Sequence, residues 1–270
     1  MIFYKNMDFL TLLCYTAISN YILSKRETYF NMRMRKKRRS GERLCALRAL
    51  FVEEKGFTGV FDSERPLRLE IGCGKGDFIC ALSKKEPDYN YIAMERVDDV
   101  IVVAAEKYAA TRDLGCLDYH GGWRAPDGTV YKDVTWDIPV EMRGNVRFMN
   151  FDAAELCEYF EEESLDTIYA NFSDPWTKNG YANRRLTHPD FLARYLKVLK
   201  AGGRFCFKTD NVELFDFSLE SVENEAGFEL TFVSRDLHSS DRAESNIMTE
   251  YERNFSSQGI KINCLEAVKK

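Results

Sequence analysis

Leu67-Arg68-Leu69-Glu70-Ile71-Gly72-Cys73-Gly74-Lys75-Gly76-Asp77 decides how the rest of this chain is read. Its first half, Leu67 to Ile71, is a short apolar run of the length expected for a buried strand. Its second half places three glycines at alternate positions, so the backbone can turn sharply and come close to a ligand. Phe78 to Lys84 then has helical spacing. A dinucleotide fingerprint, G-x-G-x-x-G, would need glycine where Asp77 stands. The observed G-x-G-x-G, with Glu70 just before it, suits a nucleoside that carries a charged amino-acid tail and no pyrophosphate.

Outward from this turn, strands and helices alternate. Tyr91 to Met94 predicts a second strand that ends at Glu95, and Val100 to Ala110 a second helix. Val146 to Asn150 predicts a strand, Ala153 to Phe160 an amphipathic segment, and Thr167 to Phe172 another strand. Asp190 to Lys200 reads as a helix stopped by Gly202 and Gly203, followed by a strand at Arg204 to Lys208. Such alternation implies an α/β fold with a mostly parallel sheet and right-handed crossovers. Ligands in such sheets lie beyond the carboxyl ends of the strands. Thr111 to Gly144, with Gly121, Gly122, Pro126, Gly128 and Pro139 and little periodicity, reads as an insertion holding a small hairpin near Thr129 to Trp136.

The predicted strand ends are polar. Glu95 follows the glycines by about 20 residues, where a carboxylate can accept hydrogen bonds from ribose hydroxyls. Asp152, after the third strand, stands where an adenine amino group would be read. Each acid alone is ordinary as a surface residue or a helix cap. Three successive strands ending in acids at one edge point instead to S-adenosylmethionine. The fourth strand runs into Asn171-Phe172-Ser173-Asp174-Pro175-Trp176-Thr177-Lys178, which gathers an acid, a rigid turn, an aromatic plate and a cation. Arg184 and Arg185, just beyond, suit phosphate contacts. Lys208-Thr209-Asp210-Asn211 ends the fifth strand, and Asn246 to Arg253 is a compact polar run with little core character. A nicotinamide dehydrogenase is disfavoured by Asp77 and by the three histidines, His120, His188 and His238, which lie off the predicted strand ends.

From about Met32 to its C-terminus the chain resembles the bacterial tRNA (guanine-N7)-methyltransferase family. The resemblance is carried by Met32-Arg33-Met34-Arg35, the Glu-Ile-Gly-Cys-Gly-Lys-Gly turn, Asn-Phe-Ser-Asp-Pro-Trp, Phe-Lys-Thr-Asp-Asn and Asn-Ile-Met-Thr-Glu-Tyr-Glu, in that order. It implies a Rossmann-like class I methyltransferase with a mostly parallel seven-stranded sheet and helices on both faces. It implies methyl transfer from S-adenosylmethionine to N7 of a guanine in tRNA, at nucleotide 46, forming 7-methylguanosine. By the same resemblance Glu70, Gly72, Gly74, Gly76, Glu95, Asp152 and Asp174 bind the cofactor, and Asp174 is also catalytic. Lys178, Asp210, Thr249, Glu250, Tyr251 and Glu252 correspond to positions that hold the guanosine. The family's loop after the tryptophan is richer in cations than Lys178-Asn179-Gly180-Tyr181-Ala182-Asn183-Arg184-Arg185, which implies a weaker grip on the tRNA backbone here. The alternative is a non-catalytic RNA-binding protein that has kept a methyltransferase fold, whose signature would be loss of the rim acids.

Composition is consistent with this reading. The 270 residues are 45% hydrophobic and 30% charged, with a net charge of −5. An acidic total is compatible with a nucleic-acid partner when a local basic stripe is present. Arg33, Arg35, Lys36, Lys37, Arg38 and Arg39 form such a stripe. The eight cysteines never form a C-x-x-C pair, so reduced thiols in a cytoplasmic protein are expected and a metal site is not. Phe9 to Leu23 is interrupted by Thr11, Thr16, Ser19 and Asn20, short of the ~20 apolar residues a spanning helix needs. Residues 1 to 31 are therefore expected to be an extension, with translation starting at Met32 or Met34. Residues 32 to 60 form a basic segment, and 61 to 270 the methyltransferase domain with its insertion at about 111 to 144. A monomer or homodimer is expected.

Overall fold

The computed structural model describes residues 43–270, apart from 45, 53–56, 58, 113, 115, 118–122, 126, 127 and 132–139. The N-terminal extension and the basic run therefore lie outside the described residues. Strand β1 (Leu67–Ile71) is buried along its whole length, as a central strand covered on both faces must be. Its one cation, Arg68, is buried because Asp166 and Glu86 pair with it at 3.0 and 2.5 Å. The guanidinium also stacks on the Tyr89 ring. Helix α1 (Asp77–Lys85) follows, with Asp77 in its first turn and Lys84 and Lys85 in its last, matching the helix dipole.

Strand β2 (Asn90–Met94) and helix α2 (Asp98–Thr111) complete the first crossover unit. Strand β6 (Val146–Met149), the four-residue helix α3 (Leu156–Tyr159) and strand β7 (Leu165–Asn171) come next. Helix α4 (Pro189–Val198) is capped by His188, whose ring nitrogen accepts from the Asp190 amide, with Pro189 in the first turn. Strand β8 (Leu199–Thr209), helix α5 (Val212–Glu223) and strand β9 (Phe228–Ser234) lead to the short helix α6 (Glu250–Ser256) and strand β10 (Asn263–Lys269). These strands form one seven-stranded sheet in the order β6-β2-β1-β7-β8-β10-β9. The first five are mutually parallel, and β10 runs antiparallel to both its neighbours. One apolar layer, including Phe78, Ile79, Ile101, Ala105 and Phe148, lies under α1 and α2. The other, including Leu156, Leu192, Tyr195 and Phe215, lies under α3, α4 and α5. Helices thus cover both faces.

Two local expectations are corrected. Gly202 and Gly203 do not stop α4. The helix ends at Val198 because Leu199 already pairs with Leu165 of β7. The glycines lie in the irregular start of β8, where a Cβ on Gly203 would stand 2.8 Å from the Lys200 carbonyl oxygen. The hairpin of the insertion is also shifted. It pairs β4 (Trp123–Arg124) with β5 (Val130–Tyr131), and β3 (Cys116–Leu117) adds a third antiparallel strand. Gly128, in its left-handed conformation, makes the turn between β4 and β5, so the hairpin begins before Thr129 and only its second strand falls within Thr129 to Trp136, of which residues 132–136 lie outside the described residues.

The three glycines of the signature do different work. Gly76 caps α1 at φ +79°, and a Cβ there would meet the Ala104 Cβ of α2 at 2.8 Å. It is a packing glycine. Gly76→Ala is expected to lower unfolding free energy by about 2–4 kcal/mol, from left-handed strain plus overpacking, measured by urea denaturation. Gly72 and Gly74 also have positive φ, but nothing lies within 4 Å of where their Cβ atoms would be.

Candidate active site

The glycine turn is pinned to its neighbour strand: the Gly72 and Cys73 amides both donate to the Met94 carbonyl, at 2.8 and 3.0 Å. Beneath the turn, the Glu70 carboxylate is buried. Its Oε1 accepts from Asn171 Nδ2 at 3.2 Å, whereas its Oε2 is buried with no hydrogen-bond partner. Burial raises this carboxyl to about 7, although Asn171 and the Lys208 ammonium pull it down.

Glu95, at the end of β2, closes the same corner. Its Oε2 accepts from the Gly74 amide at 3.3 Å and its Oε1 from the Val97 amide at 3.0 Å. Burial raises its carboxyl above the usual range against those two hydrogen bonds. Each oxygen keeps lone-pair capacity for a hydroxyl donor. Asn150 at the end of β6 donates to the Glu95 carbonyl at 3.0 Å, tying the second and third strand ends together. Asp152 caps the short helix after β6 by accepting from the Ala154 amide at 2.9 Å, and Arg96 approaches its other oxygen at 3.8 Å.

The β7 loop is held in an unusual backbone path: Phe172 and Trp176 both have positive φ, 52° and 43°. Asp174 lies exposed between them. Arg185 fixes the loop by donating to the carbonyls of Pro175 at 3.0 Å and Trp176 at 3.4 Å, and its guanidinium stacks on Phe217. Arg184 lies over the Trp176 ring at 5.0 Å and the Tyr181 ring at 4.5 Å. The two arginines expected to meet phosphate are thus both engaged with this loop and its neighbours. Trp176, expected as an aromatic plate, is flanked by Tyr181 and Arg184. Lys178 is exposed at the start of a 3-10 turn, Asn179–Arg184.

Helix α6 supplies the other wall. Thr249 caps it, accepting from the Glu252 amide at 2.9 Å. Lys75 of the glycine turn reaches Glu250 at 3.4 Å, and Arg253 reaches Asp77 at 3.9 Å, so α6 lies beside the turn. Tyr251 is 48% exposed, stacks on Phe255 with ring centroids 4.4 Å apart, and touches Phe172. Burial and the charges of Asp210 and Asp174 raise its phenol above the usual range.

Glu252 is where the structure departs from the sequence reading. It was expected to hold the guanosine, within a run of little core character. It is fully buried, and both carboxylate oxygens are occupied. Oε2 accepts from Lys208 Nζ at 2.8 Å, and Oε1 from His238 Nε2 at 2.8 Å and Asn246 Nδ2 at 2.6 Å. Burial alone would raise this carboxyl, but the Lys208 ammonium and these hydrogen bonds hold it below the ordinary range. Lys208 also donates to Asn246 Oδ1 and the Ile247 carbonyl, so its three protons are all placed. His238, read from sequence as lying off the strand ends, reaches the site through Glu252. Sequence reasoning missed Lys208 and His238 as a pair with Glu252, because nothing local signals a contact spanning 44 residues.

A parallel sheet with one reversed strand, a glycine turn after β1 and acids at the ends of β1 and β2 define a class I methyltransferase. The solved 16S rRNA methyltransferase KamB shares this fold, with a TM-score of 0.53 at 13% identity, covering 81% of this chain and 96% of that one. Residues 64–265 match a family model described as putative methyltransferase. The tRNA (guanine-N(7)-)-methyltransferase of Lachnoclostridium phytofermentans is 41% identical over 77% of this chain and 83% of its own. That of Lactococcus lactis subsp. cremoris is 38% identical over 87% of this chain and 97% of its own. The chain belongs to the tRNA (guanine-N(7)-)-methyltransferase family, and it is an enzyme of that family.

Proposed function

We propose that this protein transfers a methyl group from S-adenosylmethionine to N7 of a guanine in tRNA, nucleotide 46 by family resemblance, leaving 7-methylguanosine. The observation that carries the reading is that α6 and the β7 loop meet beside the glycine turn, through Tyr251 on Phe172 and Lys75 on Glu250, and that two glycines of that turn are open with positive φ. Family membership supplies the substrate class.

The residues present fit the cofactor. Gly72 and Gly74 leave a cradle that side chains would fill, and the unpartnered Glu70 Oε2 suits the ammonium of an amino-acid tail. Glu95 suits ribose hydroxyls, and Asp152, partly engaged in its cap, an adenine amino group. Bound there, S-adenosylmethionine supplies an electrophilic methyl carbon on sulfur. Guanine N7 carries a free lone pair, so no general base is needed to expose the nucleophile. The chain's task is alignment and electrostatics. The purine becomes cationic as the methyl arrives, and the Asp174 carboxylate stabilises that charge. Asp210 and the Thr249–Tyr251 turn hold the base. Enzymes that act on a base within a folded RNA splay it out and stack it on an aromatic group. Tyr251 suits that role better than Trp176, whose ring is flanked by Arg184 and Tyr181.

The basic run from Arg33 to Arg39 adds salt-dependent phosphate affinity. The same reading makes 61 to 270 the catalytic domain with its insertion, in a cytoplasmic monomer or homodimer. No described helix is long and apolar enough to cross a membrane. A non-catalytic RNA-binding protein would bind tRNA without turning over cofactor, and incorporation of labelled methyl into unmodified tRNA separates the two readings.

Glu70 gives a second test. Its carboxyl, raised to about 7 by burial, binds more protons in the fold than in the unfolded chain. Its contribution to stability is therefore full below the unfolded carboxylate range and declines as pH rises towards about 7. A cationic ligand favours the ionised form, so cofactor affinity should rise up to about 10-fold between pH ~6 and ~8. Calorimetric titration of wild type and Glu70→Gln checks this, and the variant should lose most of the slope.

A further inference from the structure

We propose that His238 is a positioning residue of the methyl-transfer site: through Glu252 it holds the first turn of α6 against the bound guanosine. The inference rests on the proposed function and goes beyond it, since neither the family motifs nor the strand-end acids point to this histidine.

Between β9 and β10 the backbone leaves the sheet for nearly thirty residues, Arg235 to Ile262, and returns carrying α6. A seven-residue helix has little stability of its own. Its exposed side bears Glu250, Tyr251 and Arg253. Its anchors are few and specific. A small apolar cluster of Leu237, Ile262 and Cys264 underlies it, with Phe172 and Phe255 packed against that cluster. Glu252 is the one residue of α6 that is fully buried, and it enters the interior as a charge.

A buried carboxylate stays put only when its oxygens are satisfied. Lys208 holds Oε2 from the end of β8, and Asn246 and His238 hold Oε1. Asn246 is itself held by Lys208, which donates to its Oδ1 at 2.9 Å, so it shares the anchor at the end of β8. His238 differs, because Leu237 beside it is anchored by its amide to the Ile262 carbonyl at 2.8 Å. Lys208 fixes α6 to the sheet and His238 fixes it laterally, and two bonds from different directions define where Thr249 and Tyr251 stand. Since Glu252 is an acceptor, His238 donates from Nε2–H. Its side chain is 29% exposed, so a smaller residue is tolerated there without emptying the core.

The test uses the full chain with His238→Ala and His238→Gln, the latter keeping one N–H donor. Three quantities are read: kcat and KM for tRNA, cofactor Kd, and hydrogen exchange of the α6 amides. For His238→Ala, kcat should fall about 10-fold, as for loss of one hydrogen bond to a charged acceptor, with cofactor Kd within about 2-fold. The α6 amides should exchange about 10-fold faster while β1 and β8 do not change. His238→Gln should recover most of both losses. Unchanged kcat or unchanged α6 exchange in His238→Ala would overturn the inference, as would glutamine behaving like alanine. A wild-type chain that transfers no methyl to tRNA overturns the functional reading instead, and the exchange measurement still decides whether His238 holds α6.

Discussion

Asp174→Asn is expected to lower kcat for methyl transfer by about 100-fold while tRNA affinity changes by less than about 3-fold. The substitution keeps size and hydrogen-bonding shape and removes only the charge. Asp174 is exposed on a loop whose path is fixed elsewhere, by Arg185 on the Pro175 and Trp176 carbonyls, so folding should be unaffected. The charge matters only as the purine becomes cationic, which places its effect in the transition state rather than in binding. Single-turnover rates under saturating cofactor and tRNA check this. Equal losses in rate and in tRNA affinity would instead make Asp174 a binding residue.

Lys208→Met should cost about 3–5 kcal/mol of stability, among the largest effects of any single polar substitution in this protein. The apolar stem is conserved in volume, but the fully buried Glu252 loses its ion pair with Lys208. His238 and Asn246 still donate to it, which sets the expectation at the lower end of that range. Activity should fall further than stability alone requires, because the ammonium also ties the Asn246 and Ile247 segment to the end of β8. The double variant Lys208→Met/Glu252→Leu removes the stranded charge and should regain part of the stability but little of the activity. Chemical denaturation beside kcat measurements separates the two effects. A loss under about 1 kcal/mol in the single variant would show that the pair is not an anchor.

The parallel half of the sheet was legible because its signals are local. An apolar strand followed by a helix recurs at β1, β2, β6, β7 and β8, a glycine turn marks the first of these units, and the acids Glu70, Glu95 and Asp152 stand at or just beyond the strand ends. The antiparallel half was not read from periodicity. β10 slots between β8 and β9, pairing with β8 across more than 50 residues, such as Asn263 with Thr209, and with β9 across at least 30, as Cys264 with Ser234, and no local pattern announces these pairings. The seventh strand was expected from resemblance. α6 was hidden for another reason. Thr-Glu-Tyr-Glu reads as solvated, yet the buried member is the second glutamate, made tolerable by a lysine 44 residues away. Gly202 and Gly203 show the converse, where a strong local helix-stop signal served a strand irregularity instead.

Nucleoside analysis of unmodified tRNA after incubation with the protein and labelled S-adenosylmethionine tests the central claim most directly. Label is expected in 7-methylguanosine alone, and is expected to be lost with Asp174→Asn. Label in another nucleoside, or none despite tight cofactor binding, would contradict the assignment of guanine N7 as the acceptor while leaving the methyltransferase fold intact.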